Sequence, residues 1–252
     1  MSIEDFAFGV RLKSPVTPGA LQWWSERFWT TGLRPFEICR RLVECVPHGY
    51  TSDLFALTAP KRYAEFEIFG NDQDGEVYAL SRAFDLDESN LYQGFLEIRP
   101  DMRNLGYGKI FAQNCYRLAG ELGLERLLVK PLDGGSYFWA RAGFLPSTES
   151  WNDDNCKGRI ATYLGGLGRV RASARLRVSA FLQSSEPATI WMIADMPDPV
   201  QSAQNPRHTI TLGKALLAES GATWHGSIDF TPHALFDDQH DRVRRYIFGE
   251  AS

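Results

Sequence analysis

Between Arg103 and Lys109 the chain reads Arg-Asn-Leu-Gly-Tyr-Gly-Lys, a spacing suited to holding an anion. Gly106 and Gly108 carry no Cβ, so main-chain N–H groups there can approach an oxyanion closely. From Lys109 to Leu122 the pattern predicts a helix, with Ile110, Phe111, Cys115, Leu118 and Leu122 on one side. The first turn of a helix leaves about four N–H donors unpaired and carries roughly half a positive charge. Arg103 and Lys109 add full positive charges at its edges. The arrangement suits a diphosphate. Two familiar diphosphate sites are excluded. A dinucleotide fold needs G-x-G-x-x-G directly after a strand, and a P-loop needs G-x-x-x-x-G-K-[ST]. Here only one G-x-G is present, and Ile110 follows Lys109.

The elements around the turn follow from period and punctuation. From Lys61 the runs KRYAEFEIFG, EVYALSRAFDL and LYQGFLEI are β-rich, separated by the turn compositions NDQDG and DESN. Short loops make them an antiparallel meander. The third strand ends at Arg99-Pro100, since proline offers no N–H to a ladder. After the helix Gly123 is a natural stop, and Arg126 to Lys130 reads as a short buried strand. Such a strand–helix–strand crossover is expected to be right-handed and parallel. Asp133-Gly134-Gly135 is a loop, Ser136 can cap a helix from Tyr137 to Ala142, and Gly143 ends it. The fold class expected is α/β, with a mixed sheet of meander plus crossover and added helical regions at both ends.

Arg103 to Gly108 fits R/Q-x-x-G-x-G/A, the acyl-CoA pyrophosphate loop of the GNAT superfamily of N-acetyltransferases. LEIRP is similar to that family's central strand and exit, RLLVKP looks like its next strand, and YFWARAGF resembles its closing helix and Gly-Phe turn. The resemblance covers roughly residues 60 to 165. It divides the chain into an N-terminal helical part of an acceptor groove (1–60), an acetyl-CoA-binding core (60–165) and a mostly helical extension of no assigned role (166–252).

What the resemblance implies is acetyl transfer from acetyl-CoA directly to a primary amine of a small molecule, peptide or protein. The pantetheine arm would lie along Leu96, Glu97 and Ile98, and a strand bulge there would aim an N–H at the thioester oxygen. Arg103, Asn104, Leu105, Gly106, Tyr107, Gly108 and Lys109 would hold the diphosphate. Asp133 stands near a cofactor-contacting position of the family, or serves ordinary turn chemistry. The chain departs from the pattern in two places. Many members protonate the leaving thiolate with a tyrosine where this chain has Trp139; Tyr137 is the substitute, though two residues on a helix turn it about 200° away. The glutamate base of the histone-modifying branch is Tyr92 here, which leaves Glu97 as the expected base, or as a plain strand partner to a cation. These departures keep a catalytically silent acyl-CoA-binding module as an alternative. A toxin or effector acting on a macromolecule is a second, resting on Arg169, Arg171, Arg175 and Arg177.

The flanks and composition set outer limits. Thr17-Pro18 and Pro35 open two helical patterns, with Trp23, Trp24 and Trp29 serving either sheet packing, the favoured role, or an acceptor wall. Residues 1 to 16 alternate weakly and suit an edge strand or the surface. The tract ESWNDDNCKG reads as a loop, RIATYL as a strand, GLGRVRASARLRVSAFLQ and TLGKALLAES as helices, and WHGSIDF as a strand. Thr231-Pro232 reads as the cap of a last helix ended by Gly249. At 252 residues, 44% hydrophobic and 23% charged, the composition is that of a globular protein. A net charge of −4 argues against a general nucleic-acid binder. No membrane span or secretory leader is visible, and Cys39, Cys45, Cys115 and Cys156 lack a C-x-x-C pair. A cytoplasmic protein with reduced thiols is expected. His48, His208, His225, His233 and His240 occur singly, so no metal site is expected.

Overall fold

A computed structural model describes residues 2–13, 15–28, 31–55, 64–132 and 134–250. The chain divides into two compact units, one of residues 1–127 with 229–231 and one of 128–228 with 232–252.

The first unit is built on the meander. Strands β1 (Arg11–Leu12), β2 (Gly49–Phe55), β3 (Ala64–Asp72), β4 (Gly75–Asp85) and β5 (Asn90–Ile98) lie side by side in that order. β1 runs parallel to β2, and every later pair is antiparallel, so the sheet is mixed. Alternation gives it two unlike faces. One carries Phe66, Ile68, Tyr78, Leu80, Phe84 and Leu91, all buried. It packs against helices α2 (Pro18–Phe28), α3 (Pro35–Leu42) and α4 (Tyr107–Glu121). Trp24 stacks on Phe28 at 4.2 Å between ring centroids and meets Phe66 edge-on at 6.2 Å. Phe28 in turn meets Phe84 at 6.2 Å. Trp24 is therefore core, as expected. Trp23 lies under the Arg27 guanidinium at 4.7 Å, and Trp29 falls outside the described residues.

Helix starts in this unit follow their caps. Thr17 Oγ1 accepts the Ala20 N–H at 3.1 Å, and Pro35 opens α3. Helix α4 begins two residues earlier than its apolar pattern suggests, with Gly106 as N-cap, and stops before Gly123 at φ 63°. Asn114 on α4 donates to the carbonyls of Leu42 and Glu44 at 3.2 and 2.9 Å, locking the end of α3. The N-terminus supplies the expected edge strand only at its end and a helix before it. Ser2 and Asp5 form a capping box around helix α1 (Ile3–Ala7), and only Arg11 and Leu12 are strand. β2 is not announced by the sequence pattern. Its Ser52 and Asp53 are buried polar residues that break the alternation, and Asp53 is paired with Arg11 at 2.6 Å and Lys13 at 2.9 Å.

β6 (Arg126–Val129) follows α4, and its first residue is tied to the turn before β5. The Arg126 N–H donates to Ser89 O at 3.1 Å, and its Nε donates to Asn90 Oδ1 at 3.0 Å.

The second unit is mainly helical. Helix α5 (Gly135–Arg141) has Gly134 at φ 88° as N-cap. Ser136 does not cap it, because its hydroxyl donates to the buried carbonyl of Ala222. β7 (Leu145–Pro146) pairs antiparallel with β10 (Gly226–Asp229). Between them the expected loop and strand are helices: α6 (Thr148–Asn152), a π-turn at Asp154–Gly158 and α7 (Arg159–Gly166). Ser147 and Asp153 side chains accept the N–H groups of Ser150 and Asn155, which starts each turn. Ile160 and Leu164 then fall on one buried stripe at helical spacing.

Helix α8 (Ala172–Gln183) carries Arg175 and Arg177 of the arginine run, while Arg171 is its N-cap and Arg169 precedes it. Arg175 donates to the carbonyls of Leu164 and Leu167 at 2.6 and 2.8 Å, closing the end of α7, and Arg177 pairs with Asp198 at 3.0 Å. α9 (Thr189–Ala194), the β8–β9 hairpin (Pro199–Gln201, Thr209–Thr211) and α10 (Leu212–Lys214) complete the middle. α10 runs into a π-turn whose Glu219 accepts from Tyr163 Oη at 2.6 Å and from the Ala203 N–H at 2.9 Å. The last helix, α11 (Phe236–Arg242), starts four residues after Pro232, so Thr231-Pro232 does not cap it. It passes into a π-turn and ends at Gly249, φ 74°. Among the described residues no helix is long and apolar enough to cross a membrane, and no cluster of His, Cys, Asp or Glu has metal-ligand geometry.

Candidate functional site

β5 and the turn after it carry two departures from regular backbone. Register puts Leu80 opposite Leu96 and Arg82 opposite Gln93, so Gly94 and Phe95 together face Ser81. That is a β-bulge, which takes main-chain groups of β5 out of the β4 ladder. Glycine is required at its first position. A Cβ on Gly94 would lie 2.8 Å from Ser81 Oγ and 3.0 Å from Ser81 O. The bulge is held from β4 by Arg82, whose Nη1 donates to Ser81 O at 2.7 Å and Phe95 O at 3.0 Å. Its Nε donates to Cys115 Sγ at 3.1 Å.

Beyond the bulge β5 continues through Leu96, Glu97 and Ile98 and leaves through Arg99. Arg99 forms a fork on Asp72 at 2.9 and 3.1 Å and a further bond to Asp101 at 2.8 Å, which fixes where the chain departs from the sheet. The guanidinium holds both carboxyls below the usual range, Asp72 chiefly through the side-chain hydrogen bond. Arg103 turns back, its Nε donating to Ile98 O at 3.0 Å. Asn104 and Gly106 take left-handed conformations at φ 67° and 91°. The turn is open: residues 103–106 are exposed, Leu105 to 62%, and nothing lies within 4 Å of a Cβ built on Gly106. Gly108 and the exposed Lys109 sit in the first turn of the fifteen-residue α4. The helix start thus presents main-chain donors to an uncovered glycine turn beside a bulged strand. The Tyr107 side chain points away from the open turn's solvent. It is buried, and its hydroxyl lies 2.8 Å from His48 Nε2.

The structure brings Leu96, Glu97, Ile98 and residues 103–109 together in this unit. Tyr137 belongs to the second unit, on α5, near Tyr246, whose hydroxyl pKa is raised by burial and then by Tyr137. Trp139 is a packing residue there, 4.7 Å from Phe138 and 4.9 Å from Phe144. Asp133 lies outside the described residues.

Three groups gain a meaning that the sequence alone does not give them. Glu65 and Glu67 alternate with Phe66 and Ile68 on β3, so they occupy the other face of the sheet. Glu67 stands opposite Ser81, which stands opposite the bulge. Ser81 Oγ donates to Glu65 Oε1 at 3.1 Å. Burial pushes the Glu67 carboxyl up, and the charges of Glu65 and Asp53 add to it. The E-x-E alternation was the available signal. Arg82 and Gln93 occupy positions where the alternation calls for apolar residues, and both are buried. Cys39 and Cys156 are buried, and burial pushes their thiols up to about 12, away from the thiolate a nucleophile needs.

No family model matches the chain, and no curated relative matches it. A solved structure of nourseothricin acetyltransferase is similar at 18% identity, over 36% of this chain and 56% of that one, with a TM-score of 0.28. The chain thus spans little more than half the length of that structure.

Proposed function

We propose that the first unit binds an acyl-CoA and that the protein is an N-acyltransferase of the GNAT type, moving an acyl group to an amine. The observation that carries this is the uncovered left-handed turn at Gly106, at the head of a fifteen-residue helix and one turn past a bulged strand. The main-chain N–H groups of residues 105–108 would receive the diphosphate, with Lys109 adding charge. The arm would lie along Leu96 to Ile98, and a main-chain N–H freed from the ladder at the bulge would face the thioester oxygen, the Phe95 carbonyl being held by Arg82. The donor supplies an activated acyl carbon. The acceptor nitrogen bonds to that carbon, the C–S bond breaks, and the sulfur leaves as thiolate.

A base must take the proton from the nitrogen. Glu97 on β5 and Glu65 and Glu67 on β3 lie on the same sheet face, and Glu65 is held by Ser81 Oγ at 3.1 Å, which leaves Glu97 and Glu67 as the candidates. Burial raises the affinity of the Glu67 carboxyl for a proton, the direction that favours a base. Isothermal titration with CoA and acetyl-CoA tests the reading. Binding at tens of micromolar or tighter, abolished by Gly106→Trp, is expected; heat absent at those concentrations refutes it. Release of CoA with a panel of amines then separates an enzyme from a module that only binds.

A further inference from the structure

Arg82 and Gln93 face one another across β4 and β5 on the sheet face that packs against α4. Both are almost wholly buried, at 1% and 4% exposure. Arg82 spends its hydrogen bonds on uncharged acceptors, one thiol and two carbonyls. A buried guanidinium ordinarily has an anion. Beside it the Gln93 amide is orphaned: neither Nε2 nor Oε1 has a partner among the described residues. Among the described residues, a cation without an anion and an amide without any partner, adjacent and buried, have the composition of a receptor for a carboxylate. Gln93 is also the residue immediately before the bulge. A chain passing the bulge from the Leu96 side reaches it within about two residues of strand, roughly 7 Å.

We propose that Arg82 and Gln93 receive a carboxylate at the far end of the donor's acyl group, so that the preferred donor carries a dicarboxylic acyl chain of the malonyl or succinyl class. The inference rests on the reading of β5 as the donor-binding strand. The transfer balances as before: acyl thioester and amine give amide and free thiol, and the terminal carboxylate stays ionised throughout. Arg82 supplies the charge and Gln93 Nε2 a second donor, while a plain acetyl group ends short of both.

Titration of the full chain with CoA, butyryl-CoA and succinyl-CoA is the test, since the two acyl groups match in length and differ in charge. Succinyl-CoA is expected to bind at least tenfold more tightly than butyryl-CoA. Gln93→Leu should bring the two together, and Gln93→Glu, which places a carboxylate opposite Arg82, should reverse the order. Because Gln93→Leu removes an orphaned buried amide, its thermal midpoint should not fall, so loss of preference cannot be ascribed to unfolding. Binding of CoA with no preference for the succinyl group overturns this inference and leaves the acyl-CoA reading standing. Absence of CoA binding overturns that reading and this inference with it.

Discussion

The hydroxyl of Tyr107, the residue between the two glycines of the turn, lies 2.8 Å from Nε2 of His48, which stands just before β2. The glycine turn is thus anchored by a side chain far upstream in the chain's own first unit. Tyr107→Phe keeps the ring and deletes this bond. Urea denaturation should show a loss of about 1 kcal/mol. Titration should show CoA affinity reduced several-fold. Loss of stability with unchanged affinity would mean that the anchor has no part in shaping the turn.

Gly106 and Gly120 offer a matched pair. A Cβ added at either would have no other atom within 4 Å, but Gly106 sits at φ 91° while Gly120 lies inside α4. Gly106→Ala should cost about 1–2 kcal/mol of stability from backbone strain alone and reduce CoA binding more than tenfold. Gly120→Ala should stabilise by about 0.5–1 kcal/mol and leave binding unchanged. Equal effects at the two positions would contradict a special role for the turn.

Glu67 and Glu97 can be told apart by pH. The folded-state pKa of Glu67 lies above its unfolded value, so its protonated form favours folding below about pH 4 and that contribution disappears as pH rises through the folded value. Glu67→Gln should therefore make the protein more stable at neutral pH than the native chain. If Glu67 is the base, the same substitution should lower kcat/KM at least a hundredfold and remove the acid limb of the pH profile. If that limb survives in Glu67→Gln and vanishes in Glu97→Gln, the base is Glu97.

Arg99 sets an opposite dependence. Asp72 and Asp101 are held below their ordinary values by this guanidinium, so the stability they lend is present above about pH 4 and lost as pH falls through the folded values. In Arg99→Gln the acid-side decline in thermal midpoint should be shallower than in the native chain. An identical decline would show that the pairing at the strand exit does not govern acid stability.

The meander and the helices that flank it are legible because their signals are local. Apolar–polar alternation marks β3, Thr17-Pro18 and Pro35 announce α2 and α3, and the glycines announce the turn. RIATYL reads as strand because Ile, Thr and Tyr favour strands. What makes it helix is a run of side-chain caps upstream and a stripe from Ile160 to Leu164, which only packing reveals. The roles of Arg82, Gln93 and Glu67 are hidden for another reason. A polar residue in a strand acquires meaning only when register names its neighbours, and the Leu80–Leu96 and Arg82–Gln93 pairs are tertiary facts. Even the expectation of a bulge does not give its address at Gly94 and Phe95.

Gly70 of β3 lies opposite Tyr78 of β4, and the tyrosine ring fills the space that a side chain on Gly70 would need: a Cβ there would come within 2.0 Å of it. The two positions are therefore not free to drift separately. Any lineage that replaces the glycine must first, or at once, shrink the aromatic beside it, and one that shrinks the aromatic alone inherits a hole beneath Phe111, whose ring lies 4.9 Å from that of Tyr78. Descent through this part of the sheet has a narrow door, which a larger residue at the glycine cannot be the first to pass.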